Sequence, residues 1–199
     1  MKKPSGPPAL QGKNSQEKSG LPAVVRMHHH AKDCELCTGV KVMISACLLG
    51  IRCRYDGKHS LCPYLADFVN SIPFIPFCPE QLGGLPTPRP PANMTGGDGR
   101  DILSGRANVV NVVGEDITDA FKKGAEESLK LARLTGATMA IMKDKSPSCG
   151  LRTPYCEKPS GFGIGVTAAF FESNRIKVFE LGSSDAFPTP GFLKFAELE

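Results

Sequence analysis

Residues 118–149, TDAFKKGAEESLKLARLTGATMAIMKDKSPSC, decide how the rest of the chain is read. Thr118 can cap a helix running to Thr135, with Phe121, Ala125, Leu129 and Ala132 on one face at helical spacing. Gly136 stops that helix, and Glu126 and Lys130 make a favourable i,i+4 pair on its other side. Thr138-Met139-Ala140-Ile141-Met142 follows at once. It is an unbroken apolar run of strand length, the pattern of a strand buried on both faces. It ends near Lys143 and leads into a Pro-constrained turn that carries Ser146 and Cys149.

Working outward, the same pattern recurs. Val42-Met43-Ile44 is a short apolar run ending at Ser45-Ala46-Cys47, and Leu48-Leu49-Gly50 then turns into the polar segment 52–57. A helix is expected over 62–70 after Pro63, with Leu65, Phe68 and Val69 as its apolar face. Residues 72–77 are extended, because each proline drives its predecessor out of the α region, and they end at Cys78-Pro79-Glu80. Gly83 to Asp101 reads as a long Pro- and Gly-rich loop, of a length usually kept for function. A strand over 108–113, a helix over 165–174 and a last strand over 176–179 complete the outline. Strands alternating with helices predict a three-layer α/β fold, a largely parallel sheet with helices on both faces.

The 199 residues fit one domain, expected over 40–199, preceded by an extension at 1–39. That extension is rich in Pro, Gly, Ser and Lys without sustained hydrophobic periodicity, so it is expected to be disordered. Its His28, His29 and His30 lie near the pair Cys34 and Cys37, but no second pair follows at zinc-finger spacing. The net charge of +4 comes partly from this segment, and the remainder is close to neutral, which argues against a nucleic-acid partner. No run approaches the ~18 apolar residues of a membrane span, and the N-terminus lacks a signal-like apolar core. A cytoplasmic protein is expected. In a reducing compartment eight cysteines point to metal binding or catalysis rather than to disulfides.

Cys47, Cys78 and Cys149 each follow a strand. In an open parallel sheet the carboxyl ends of the strands share one edge, where ligands bind, so the three thiols converge. A single cysteine after a strand is ordinarily a buried apolar residue. Three together suit a soft metal or a cluster. Cys53, Cys62 and Cys156 are left as candidates for a fourth ligand. Glu80 stands two residues past Cys78, and Ser146 three before Cys149. Gly96-Gly97-Asp98-Gly99 does not open a helix after a strand and carries little weight as a nucleotide loop. His59 is the one histidine inside the domain and is poorly placed to activate a thiol. A structural zinc site of the three cysteines plus a fourth, or a sulfur carrier without turnover, stand as the rival readings.

The stretches 45–50 (SACLLG), 54–57 (RYDG), 78–80 (CPE), 83–91 (GGLPTPRPP) and 146–150 (SPSCG) resemble one family, over about Val40 to Glu180. It is a group of small proteins long labelled a domain of unknown function, to which the thiouracil desulfidases belong. The resemblance implies a [4Fe-4S] cluster held by Cys47, Cys78 and Cys149, with a fourth iron free to take the sulfur of a thiolated substrate. It further implies acid/base helpers, placed at Glu80 and Ser146. Arg54 and Arg89, in the nearby loops, are expected to offset the negative charge of a tris-thiolate cluster. The expected activity is hydrolytic removal of sulfur from a thiolated nucleobase or a similar small thio-compound. The N-terminal extension with its CxxC departs from the family pattern.

Overall fold

The computed structural model describes residues 41–196. The expectation for residues 1–39, including Cys34 and Cys37, lies outside them.

Four strands form a parallel sheet: β1 (Val42–Ser45), β2 (Phe74–Phe77), β5 (Met139–Lys143) and β6 (Lys177–Leu181), in the order β2-β1-β5-β6. Val42 pairs with Phe74 on one side and Met139 on the other, so β1 is central. All four residues of β1 are buried, as are the first four of β5, which accounts for their unbroken apolar sequence. Pro76 is tolerated in β2 because that strand is at the sheet edge, where a missing N–H removes no ladder bond.

Alternate residues of these strands feed two separate cores. Met43, Phe77, Ala140 and Met142 pack with Leu129 and Ala132 of α4 (Thr118–Thr135) and with Ala168 and Phe171 of α5 (Val166–Ser173). Val42, Ile44, Met139 and Ile141 point the other way, onto Leu65 of α1 (Pro63–Phe68) and Phe192 of α6 (Pro190–Phe195). Helices on both faces of a parallel sheet are the expected three layers. Gly136, at φ 72°, closes α4 with its N–H on the Ala132 carbonyl.

The structure departs from the sequence expectation in four places. The segment 83–101 is not all loop: it contains β3 (Ala92–Thr95) and the start of α3 (Gly99–Leu103), so residues 96–99 do follow a strand and open a short helix, against the expectation. Asp98 caps α3 by accepting from the Arg100 and Asp101 amides, and Asp101 accepts from the Asp98 amide in return. The expected strand at 108–113 is β4 (Asn108–Asn111), and it pairs antiparallel with β3 outside the main sheet. It stops at Asn111 because that side chain accepts from the Val113 and Glu115 amides and turns the chain. Thr118 is the first helical residue rather than the cap; its hydroxyl accepts from the Val109 amide and ties α4 to β4. Lys130 pairs with Glu127, not Glu126.

The β3–β4 pair gives α4 a second apolar contact. Phe121 and Ala125 pack with Met94, Ile102 and Val109, away from the sheet. The long helix thus packs against both the sheet and this small two-stranded pair.

Candidate functional site

Three adjacent strands, β2, β1 and β5, each run out into a thiol. After β1 the chain tightens into a 3-10 turn over Ala46–Leu49 that buries Cys47, and Gly50 at φ 87° reverses it. The following loop folds back on that turn: the Ser60 amide donates to the Cys47 carbonyl at 2.8 Å and the Cys62 amide to Leu48 at 2.9 Å. This return brings Cys53 beneath the turn, at 1% exposure. After β2, Cys78 precedes α2 (Pro79–Leu82), whose first turn carries Glu80. That helix lies close against α4. A Cβ on Gly83 would collide with the Ala120 carbonyl, and one on Gly124 with the Pro79 carbonyl.

After β5, Ser146 shapes the third loop. Its Oγ accepts from the Ser148 amide at 3.2 Å and the Cys149 amide at 3.1 Å. The loop carbonyls are then taken up by α5: the Val166 amide donates to Pro147, and Thr167 and Ala168 donate to Ser148. The helix's unpaired first amides and the loop's carbonyls satisfy each other, which fixes Cys149 in place.

These loops enclose a cavity of about 570 Å³, within the ordinary range of small-molecule sites. Cys47, Cys53, Cys78, Cys149, Glu80 and Ser146 all line it, and Tyr55, Asn93, Val112 and Tyr155 form its outer wall. The five site residues expected from the sequence therefore share one chamber, and Cys53 joins them. Cys62 is elsewhere, donating to the Asp185 carbonyl inside the core beneath α1, and Cys156 bonds the Thr153 carbonyl. Neither lines the cavity.

The thiols perturb one another. A hydrogen bond with Cys47, together with burial, pushes the Cys53 thiol up to about 11, against the opposing pull of Cys78 and Arg89. Cys78 is raised further by its contact with Cys53 and by burial. Burial raises Cys149, with the neighbouring Ser45 and Ser146 hydroxyls acting the other way. Crowded, desolvated thiols favour the neutral form until a positive centre is placed among them.

Arg89 is not free to balance the charge of such a centre. Its Nε donates to Glu80 Oε2 at 2.6 Å, and its Nη atoms reach the carbonyls of Cys53 and Pro86. The pair is largely buried, with the guanidinium at 5% and the carboxylate at 15% exposure. Arg54 likewise pairs with Asp56 and donates to Ser60 Oγ. Both arginines hold loops, and Arg89 also draws the Cys53 thiol down. Sequence reading missed the Glu80–Arg89 pair because the proline-rich segment between them hides how closely they approach.

The donor set suits a cluster. It is all sulfur, and no histidine among the described residues lines the cavity. A single zinc ion needs its ligands drawn to ~2.3 Å of one centre. Among the described residues no three His, Cys, Asp or Glu side chains are gathered that way. A [4Fe-4S] cluster instead spreads its thiolates over separate irons, and thiols placed around a chamber fit that demand. Cys47, Cys78 and Cys149 are the residues that would hold it. Among the described residues no helix is long and apolar enough to cross a membrane.

Known proteins resemble this chain in sequence and fold. A solved structure of a [4Fe-4S]-dependent thiouracil desulfidase, TudS, matches with a TM-score of 0.60 and 37% identity, over 71% of this chain and 90% of that one. The Bacillus subtilis (strain 168) protein YbbK, described as uncharacterized, is 40% identical over 140 residues, 69% of this chain and 93% of its own. The model of the 2-thiouracil desulfurase family matches residues 42–181, from the first residue of β1 to the last of β6, and the chain belongs to that family.

Proposed function

We propose that this protein is an iron–sulfur-dependent desulfidase that removes sulfur hydrolytically from a thiolated nucleobase or a similar small thio-compound. The observation that carries the reading is the meeting of Cys47, Cys78 and Cys149 with the Glu80 carboxylate in one chamber. When bound, the cluster supplies a Lewis-acidic iron for the sulfur of a C=S group.

The chain's own residues do the rest. Glu80 is held by Arg89 on the first turn of α2, facing the chamber, where it takes a proton from the attacking water. Water adds to the thione carbon, the C–S bond breaks, and the products are a C=O compound and hydrosulfide, with no net electron transfer. Ser146 orders the Cys149 loop by accepting from the Ser148 and Cys149 amides. Tyr55 and Tyr155 present aromatic surface at the wall, suited to a flat heterocycle.

The test is anaerobic purification, assay of iron and acid-labile sulfide, then incubation with 2-thiouracil and 4-thiouracil without reductant. Loss of the thione absorption with stoichiometric hydrosulfide release is expected. A protein loaded with iron and sulfide but inert toward both bases and toward simple thioamides would return the sulfur-carrier reading.

A further inference from the structure

Resting on the cluster reading above, we propose that Glu180 is a positioning residue that holds Cys149 at the cluster by clamping the chain just past it. Three of the four parallel strands run out into a ligand thiol, and β6, the fourth, carries none. Glu180 is paired in register with Met142 across β5 and β6, one strand beyond the strand that leads to Cys149. Its Oε1 accepts from the Leu151 amide at 2.8 Å and from the Arg152 amide at 3.1 Å. A carboxylate acceptor makes such bonds stronger than those between neutral groups.

The two bonds complete a run. Ser146 takes the Ser148 and Cys149 amides on its Oγ and the Gly150 amide on its carbonyl. Glu180 takes the next two, so the successive amides from Ser148 to Arg152 all have acceptors. The carbonyls of the same stretch are held from α5, where the Gly165 amide donates to Gly150 at 2.7 Å. Thr153 pairs next with Gly163, inside the same irregular segment. Glu180 thus ties the chain leaving Cys149 back to the sheet, as Ser146 ties the chain entering it. Cys149 itself is buried, so its thiol meets a reagent only when this loop opens. Removing the carboxylate leaves the Leu151 and Arg152 amides without their acceptor and lowers the cost of that opening. A loop that opens more often also releases a ligand from iron more often.

The experiment uses the full chain as wild type, Glu180→Ala and Glu180→Gln, each purified anaerobically. Iron release to a chelator is timed first, and the iron-free chains are then treated with iodoacetamide, each cysteine being followed by peptide mass spectrometry. In Glu180→Ala both the alkylation of Cys149 and the release of iron should quicken about tenfold or more. Cys47, Cys62 and Cys78 should keep their wild-type alkylation rates. Glu180→Gln keeps a carbonyl acceptor in the same place and should restore both rates toward wild type. A general loss of stability would raise all four cysteines together, and that result would overturn the inference. A Cys149 rate or an iron-release rate in the Ala variant equal to wild type would also overturn it. Should the Ala variant fail to fold, Glu180→Asp, whose carboxylate is drawn back by one methylene, should quicken Cys149 alone, and a wild-type rate there would count against the clamp. A wild type without iron and sulfide would instead remove the cluster reading, while the alkylation rates would still report on the clamp.

Discussion

Glu80 lies against Arg89 on one side and the chamber on the other, so its two oxygens have different duties. Replacing it by Gln preserves the shape and leaves a carbonyl oxygen to accept from Arg89, while removing the proton acceptor. Loss of one general base typically costs ~10²–10⁴ in rate. Glu80→Gln should thus keep the iron content and visible spectrum of wild type and lose turnover of thiouracil by that order. Full activity in that variant would move the base elsewhere in the chamber. By contrast, Cys47→Ser, Cys78→Ser and Cys149→Ser should each lower bound iron, since a hydroxyl is a poor soft ligand. Cys62→Ser, outside the chamber, should leave the iron in place.

Between elements, the contact that places Cys78 and Glu80 is the bare backbone approach of α2 to α4 at Gly83 and Gly124. Alanine in the middle of a helix is ordinarily worth about 1 kcal/mol over glycine. At Gly124 the added methyl would meet the Pro79 carbonyl, and forcing extra volume into such a contact costs roughly 1–3 kcal/mol. Gly124→Ala should therefore lower stability in urea unfolding and lower bound iron, because the residue that must yield lies between Cys78 and Glu80. A gain in stability would show that α2 can move aside freely. A second element test concerns α3. Lys158 and Arg106, hydrogen-bonded to Asp101, hold its carboxylate well below the ordinary range. A lowered folded value means the contribution is present above the unfolded value of about 4 and is lost as pH falls through the folded one. Asp101→Asn should remove that part of the acid-side slope in an unfolding series from pH 6 to 2. Helix 118–135 and the buried strand after it were legible in the sequence because period and stop signals agreed there. β4 was legible as a strand as well, but β3 and its antiparallel pairing were not: Pro and Gly fill the approach to β3, and the short strands face one helix instead of a sheet.

For the whole molecule, the family match runs from Val42 to Leu181, the span of the sheet from β1 to β6. Removing residues 1–38 should leave iron content and thiouracil turnover unchanged, as measured on the truncated and full chains side by side. A drop in iron would bring Cys34 and Cys37 into the site. The chamber was partly legible: cysteines at three strand ends announce convergence once the sheet is taken as parallel. Cys53 was not singled out, because nothing in a polar loop marks which of its residues will be folded under the preceding turn. The same strand order has a bearing on biogenesis. Cys47 and Cys78 emerge early and can be paired by β1 and β2, but Cys149 takes its place only when β5 inserts on the other side of β1. Closing that long stretch of chain must precede any reward from the contacts it makes. A nascent chain arrested before β5 offers only two of the three proposed ligand thiols, Cys47 and Cys78. On the proposed cluster reading, loading with iron and sulfide would follow the insertion of β5, and bound iron would then count finished molecules.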